Sequence, residues 1–144
     1  MPRSAEAVLA DLAAFQGTDD TWGRLQELLD ELWAAGPVPA AALPVLFGVL
    51  ERHPDDDGYG VLWAVLHGLE SLAGYEAEMV RSVRRRPARF NLTMVGRCLN
   101  AGTRSVGEDE LLPLIRAAAD APDASAGVRS EARDWLEHFD GGRS

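Results

Sequence analysis

A histidine and a glutamate three residues apart, His67 and Glu70, share one side of a helical stretch with Tyr59 and Trp63. Such a pair has the residue types of general acid/base chemistry, in which one group takes a proton while its neighbour orients it. The rings beside it have the types that anchor protein interfaces, where Trp and Tyr carry much of the binding energy. A third role is structural: His67 and Glu70 as members of a buried polar network closed by Arg97 or Asn100, since buried polar groups need partners. One His and one Glu at this spacing recur by chance in many helices. The pair alone does not define a catalyst.

Other chemistries lack their residues. His53, His67 and His138 do not pair with one another or with Cys98 at metal-ligand spacing. There is no nucleophile elbow, phosphate loop or dinucleotide fingerprint. Asp55, Asp56 and Asp57 are consecutive acids, without the alternating ligands and distal Glu of a calcium loop, and read as a solvated turn capping the next helix. No metal or cofactor is expected. Arg81, Arg84, Arg85, Arg86 and Arg89 could hold phosphate. Cations also favour the last turn of a helix, and nearby acids can pair with them. Cys98, beside Met94 and Leu99, reads as a small core residue.

These residues depend on an all-α scaffold. Punctuation cuts the chain into about eight helices: from Ser4 to Gln16 before Gly17, Thr21 to Ala35 before Gly36-Pro37 with Asp19 or Asp20 as cap, and about Ala40 to His53. Further helices are expected over Tyr59 to Ala73, Tyr75 to Arg86, about Asn91 to Ala101, about Glu108 to Ala121, and behind Ser125. Pro113 should kink or break the seventh near its start. No segment alternates with period two over five residues, so strand content should be close to zero. Short loops make neighbours antiparallel, giving four pairs at roughly 35-residue intervals. The expectation is a HEAT-like α-solenoid or compact helical array in one domain, residues 1–140, with a frayed tail at 141–144. The fourth helix is the most apolar, and Gly60, Ala64 and Gly68 give it a small-residue strip for close helix approach.

The charge is −9. Residues 1–78 carry 14 acids against 3 arginines, residues 79–107 carry 7 arginines and no acid, and residues 108–144 carry 9 acids against 4 arginines. A largely acidic surface repels phosphate backbones and steers basic partners. Nucleic acid is therefore not the expected partner. All basic residues are arginine, a bias resembling GC-rich bacterial coding. One cysteine and no apolar run near the roughly 20 residues needed to span a bilayer fit a cytoplasmic chain without a membrane partner. No signal peptide is read at the N-terminus.

Two resemblances add to this reading. Leu111-Leu112-Pro113-Leu114-Ile115, followed by Val128-Arg129 and Ala132, resembles a HEAT-type repeat over about 30 residues. Leu62-Trp63, His67, Leu69-Glu70, Tyr75-Glu76, Pro87, Arg97 and Asn100 are similar to a helical group of immunity proteins from bacterial polymorphic toxin systems, over about 40 residues. That resemblance implies a non-catalytic protein that binds and occludes a basic toxin domain. Tyr59, Trp63 and His67 would provide its contact face, with Glu70, Asp55, Asp56 and Asp57 as acids. Two other readings stand beside it: a nucleic-acid enzyme, since some HEAT-like folds are DNA glycosylases and Glu70 beside Trp63 could imitate their site, and a scaffold or regulatory subunit.

Overall fold

The computed structural model describes residues 3–141. Eight α-helices follow in order: α1 Ala5–Ala14, α2 Trp22–Ala34, α3 Ala42–Arg52, α4 Val61–Glu70, α5 Tyr75–Arg85, α6 Arg89–Asn100, α7 Leu111–Ala119 and α8 Ala126–Gly141. The frayed tail expected at 141–144 falls, beyond Gly141, outside the described residues.

Local chemistry sets most of the boundaries. Ser4 caps α1 by accepting the Ala7 N–H at 3.3 Å, and Ser125 caps α8 by accepting that of Val128 at 3.1 Å. Neither Asp19 nor Asp20 caps α2. Its N-cap is Thr21, whose hydroxyl accepts the Thr18 N–H at 2.7 Å and closes the preceding turn. Pro44 and Pro113 each stand third in their helix, within the first turn, where an amide N–H has no intrahelical acceptor to lose. That position is open to Pro113 only because α7 starts at Leu111, three residues later than its apolar pattern reads.

The residues before α7 form two short strands, β1 Ser105–Val106 and β2 Asp109–Glu110, paired antiparallel. Strand content among the described residues is close to zero, confined to this one small hairpin. Its signal is a two-residue Gly107-Glu108 loop with Gly107 at φ +61°, a left-handed turn that suits glycine at its first position.

The helices stack in two layers. α1, α3, α5 and α7 pack successively in one layer, and α2, α4, α6 and α8 in the other. Each consecutive pair spans the layers, the succession expected of stacked helical hairpins. One contiguous core runs between them from Val8 to Ala132. Two indoles settle the spacing within the even-numbered layer. Trp135 of α8 lies over Gly96 of α6, where a β-carbon would stand 2.6 Å from the ring. Trp33 of α2 lies over Gly68 of α4 in the same way. The small-residue strip of α4 thus receives a ring, not a helix backbone, and only at Gly68.

Loops at one edge are laced together. The Gly17 N–H donates to His53 Nε2 at 2.8 Å, while His53 Nδ1 donates to the Val49 carbonyl at 2.7 Å. Arg89 N–H donates to the Pro54 carbonyl at 2.8 Å, and Ser125 Oγ donates to Asp55 Oδ1 at 2.7 Å. This lacing fixes the α3–α4 loop against the starts of α6 and α8.

Candidate functional site: the outward face of α4

α4 turns Leu62, Val65, Leu66 and Leu69 fully into the core, which leaves Trp63 and His67 on its outward side. Trp63 is 40 % exposed. Its ring meets Phe90 of α6 edge-on, with centroids 5.0 Å apart, and lies near-parallel to His67 at 6.0 Å. Phe90 is buried, so it props the indole from below. These contacts fix the ring's orientation without covering it.

Tyr59 is exposed just before α4 for a different reason than its helical spacing. It lies outside α4, in a single 3-10 turn over Gly58–Gly60, at φ 52° and ψ 37°. No other non-glycine among the described residues has positive φ. Gly58 and Gly60 on either side are also left-handed, and Gly58 packs against Trp22, which leaves no room for a β-carbon. Asp57 Oδ1 accepts the Tyr59 N–H at 3.1 Å and locks the turn. The outcome is a tyrosine 75 % exposed on a turn its backbone adopts at a cost of about 1–2 kcal/mol.

The buried network assigned to His67, Glu70, Arg97 and Asn100 is corrected. Glu70 and Arg97 form a two-pronged ion pair at 2.8 and 3.0 Å, but Arg97 is near half exposed. His67 is largely exposed, with Nδ1 3.9 Å from Glu70, beyond a hydrogen bond. Asn100 lies near the pair but makes its side-chain contact with His138 Nε2, at 3.2 Å. Glu70 therefore joins the surface already neutralised by Arg97. Arg97 rises above its ordinary pKa chiefly through the hydrogen bond to Glu70.

A more deeply buried network lies elsewhere, with Glu51, Ser82 and Asn91 buried and Arg85 half exposed at its outer end. Glu51 on α3, only 7 % exposed, accepts two hydrogen bonds from Arg85 at 2.8 and 2.7 Å and one from Ser82 Oγ at 2.8 Å. Asn91 extends the chain, donating to Ser82 Oγ at 3.0 Å and accepting the Ala88 N–H at 2.7 Å. The basic stretch is largely spent on such pairs: Arg81 with Glu78, Arg84 with Asp109, Arg85 with Glu51, and Arg89 with Glu131 at 3.6 Å.

The three aspartates divide. Asp57 caps the Tyr59 turn and Asp55 binds Ser125, so both hold the loop while remaining exposed; Asp56 is exposed. Cys98 is buried among Met79 and Tyr75, and burial pushes its thiol up. Among the described residues, no three of His, Cys, Asp and Glu gather as a metal cluster, and no helix is long and apolar enough to cross a membrane. A groove of about 800 Å³ lies between the end of α5 and the α7–α8 loop; none of Tyr59, Trp63, His67 or Glu70 lines it.

What the residues define is a pair of exposed rings, Tyr59 just before α4 and Trp63 on its outward side, on an all-α array, with the exposed acids Asp55, Asp56 and Asp57 in the preceding loop. Compared with protein-family models, curated proteins and solved structures, the chain finds no match.

Proposed function

We propose that the chain is a non-catalytic protein-binding module, and specifically an immunity protein that occludes a cognate toxin domain through the exposed rings of Tyr59, just before α4, and Trp63 on the outward side of α4. The observation that carries this reading is Tyr59. A large aromatic side chain that contributes little to the core is held out by a left-handed turn that disfavours it. Strain of this kind persists where the surrounding structure imposes it, and it clusters at binding surfaces. Trp63 and His67 extend the face, and the acidic character of residues 1–78 supplies steering toward a basic partner.

The test is co-expression with any toxin-like domain that a neighbouring gene encodes. Wild-type chain should co-elute with it and protect cells. A folded Tyr59→Gly/Trp63→Ala double variant should lose at least tenfold in affinity. Undiminished binding by that variant would remove the face from the function.

A further inference from the structure

The turn that presents Tyr59 is held from outside its own segment. Trp22, the first residue of α2, is 4 % exposed, and its indole occupies space that two glycines leave open. A β-carbon at Gly58 would stand 2.8 Å from the ring, and one at Gly17 would run into it. Gly17 has no positive φ, so its missing side chain serves the ring and not the backbone. The C-terminal end of α3 holds the arrangement in place. His53 meets Trp22 edge-on with centroids 5.0 Å apart, and its Nε2 accepts the Gly17 N–H at 2.8 Å. Arg52 donates to the carbonyls of Phe15 and Leu12 at 3.2 and 3.0 Å, and the Phe15 ring lies against both Trp22 and His53. The indole is thereby fixed where it meets Gly58. From Gly58 the constraint passes into the Tyr59 turn, whose other ties are local: the Asp57 carboxylate accepts the Tyr59 N–H, and the Asp57 carbonyl accepts that of Gly60 at 3.0 Å.

Resting on the partner-binding reading above, we propose that Trp22 is the positioning residue of that surface: through Gly58 it sets the left-handed turn that holds Tyr59 outward. The α1–α2 loop then tunes partner affinity without touching the partner. A tyrosine in left-handed backbone is disfavoured roughly 5- to 30-fold against the ordinary conformations. Hydrogen bonds open to water, as that from Tyr59 N–H to Asp57 is, recover only part of this. A rigid ring packed on Gly58 supplies the rest, because a relaxing turn would drive Gly58 into the indole or strip it away. A partner that needs the Tyr59 ring binds in proportion to the fraction of molecules presenting it. Loss of the full indole should therefore lower affinity, although Trp22 is buried and meets nothing outside the fold.

The experiment compares Trp22→Phe and Gly17→Ala with Gly96→Ala, whose strain against Trp135 lies between α6 and α8, all in the full chain. NMR follows the strong contact between amide and α-protons within Tyr59 that positive φ produces. Affinity is measured for a protein partner captured by co-expression with the neighbouring genes. Trp22→Phe trims the ring packed on Gly58 and Gly17→Ala displaces it, so both should weaken the Tyr59 signature. Gly96→Ala should leave it intact at a comparable loss of Tm. Trp22→Phe should lower affinity about fivefold or more, and that loss should vanish in a Tyr59→Gly background, where no ring remains to be positioned. An unchanged Tyr59 signature in both loop variants, an equal change in Gly96→Ala, or full additivity of Trp22→Phe with Tyr59→Gly would overturn the proposal. The two readings fail separately. If the signature moves as expected but Tyr59→Gly/Trp63→Ala binds the partner like wild type, the partner-binding face falls and Trp22 is left as the buttress of a turn. If that double variant loses the partner while Trp22→Phe changes neither signature nor affinity, the face stands and the positioning role falls.

Discussion

Replacing Tyr59 with glycine separates what the fold needs from what the surface offers. The left-handed backbone costs a non-glycine residue about 1–2 kcal/mol, which Tyr59→Gly recovers. Against this, glycine brings roughly 0.5–1 kcal/mol of extra unfolded-state freedom. With 75 % of Tyr59 exposed, only a fraction of the 1.5–3 kcal/mol typical of full aromatic burial is lost, about 0.5 kcal/mol. These contributions nearly cancel, and the variant should fall within about 1 kcal/mol of wild type. In a chain of this size that is roughly 2–4 °C in Tm. Gly58→Ala is the contrast: it meets a positive φ of 59° and the Trp22 ring at 2.8 Å. Strain and overpacking together should cost it about 2–4 kcal/mol. Calorimetry and urea melts read both. A loss above about 2 kcal/mol for Tyr59→Gly would show that the tyrosine is structural, and the functional reading of the turn would go with it.

Other substitutions test the packing and the charges. Arg85→Ala strips the buried Glu51 of its half-exposed cation and should cost about 2 kcal/mol, whereas Arg97→Ala, at the more exposed carboxylate of Glu70, should cost about 1 kcal/mol or less in the same melts. Gly96→Ala drives a β-carbon into the Trp135 ring and should lower stability by about 1–3 kcal/mol with a shift of the Trp135 indole resonance; an unchanged Tm would refute the α6–α8 packing. Because burial raises the Glu131 pKa, the folded state favours its neutral form. The stability this gives is fully present below the unfolded carboxylate value of 4.5 and is lost as pH rises through the raised folded value. Glu131→Gln should therefore be at least as stable as wild type at pH 7.5, and its advantage should shrink toward pH 4.5. A constant difference across that range would contradict the burial of Glu131.

Most helices are legible because their ends carry their own chemistry: Ser4 and Ser125 as caps, Gly36 and Gly102 as left-handed stops, and Pro44 and Pro113 in first turns; Gly17 is no such stop, because α1 already ends at Ala14 with extended Phe15 as its C-cap. The β-hairpin was missed because a Gly107-Glu108 loop between two-residue strands leaves no period to detect. Tyr59 looked helical because its spacing to Trp63 and His67 fits the helical repeat, while flanking glycines at 58 and 60 override that pattern through backbone conformation. The Glu51–Arg85–Ser82–Asn91 network was invisible for a tertiary reason: its members come from three helices and meet only when α3, α5 and α6 pack. Periodicity put Trp63, His67 and Glu70 on one side of α4. Whether that side faced solvent depended on α2 and α6, which flank α4 without covering Trp63 or His67.

Amide hydrogen exchange on the chain in complex with a protein partner captured by co-expression with its neighbouring genes tests the central claim most directly. Slowed exchange across residues 57–67, with the outer side of α1 and α7 unchanged, is the outcome expected of a partner seated on Tyr59 and Trp63. Slowing confined to α1, α3, α5 and α7, with residues 57–67 exchanging as in the free chain, would place any partner on the opposite layer and contradict it.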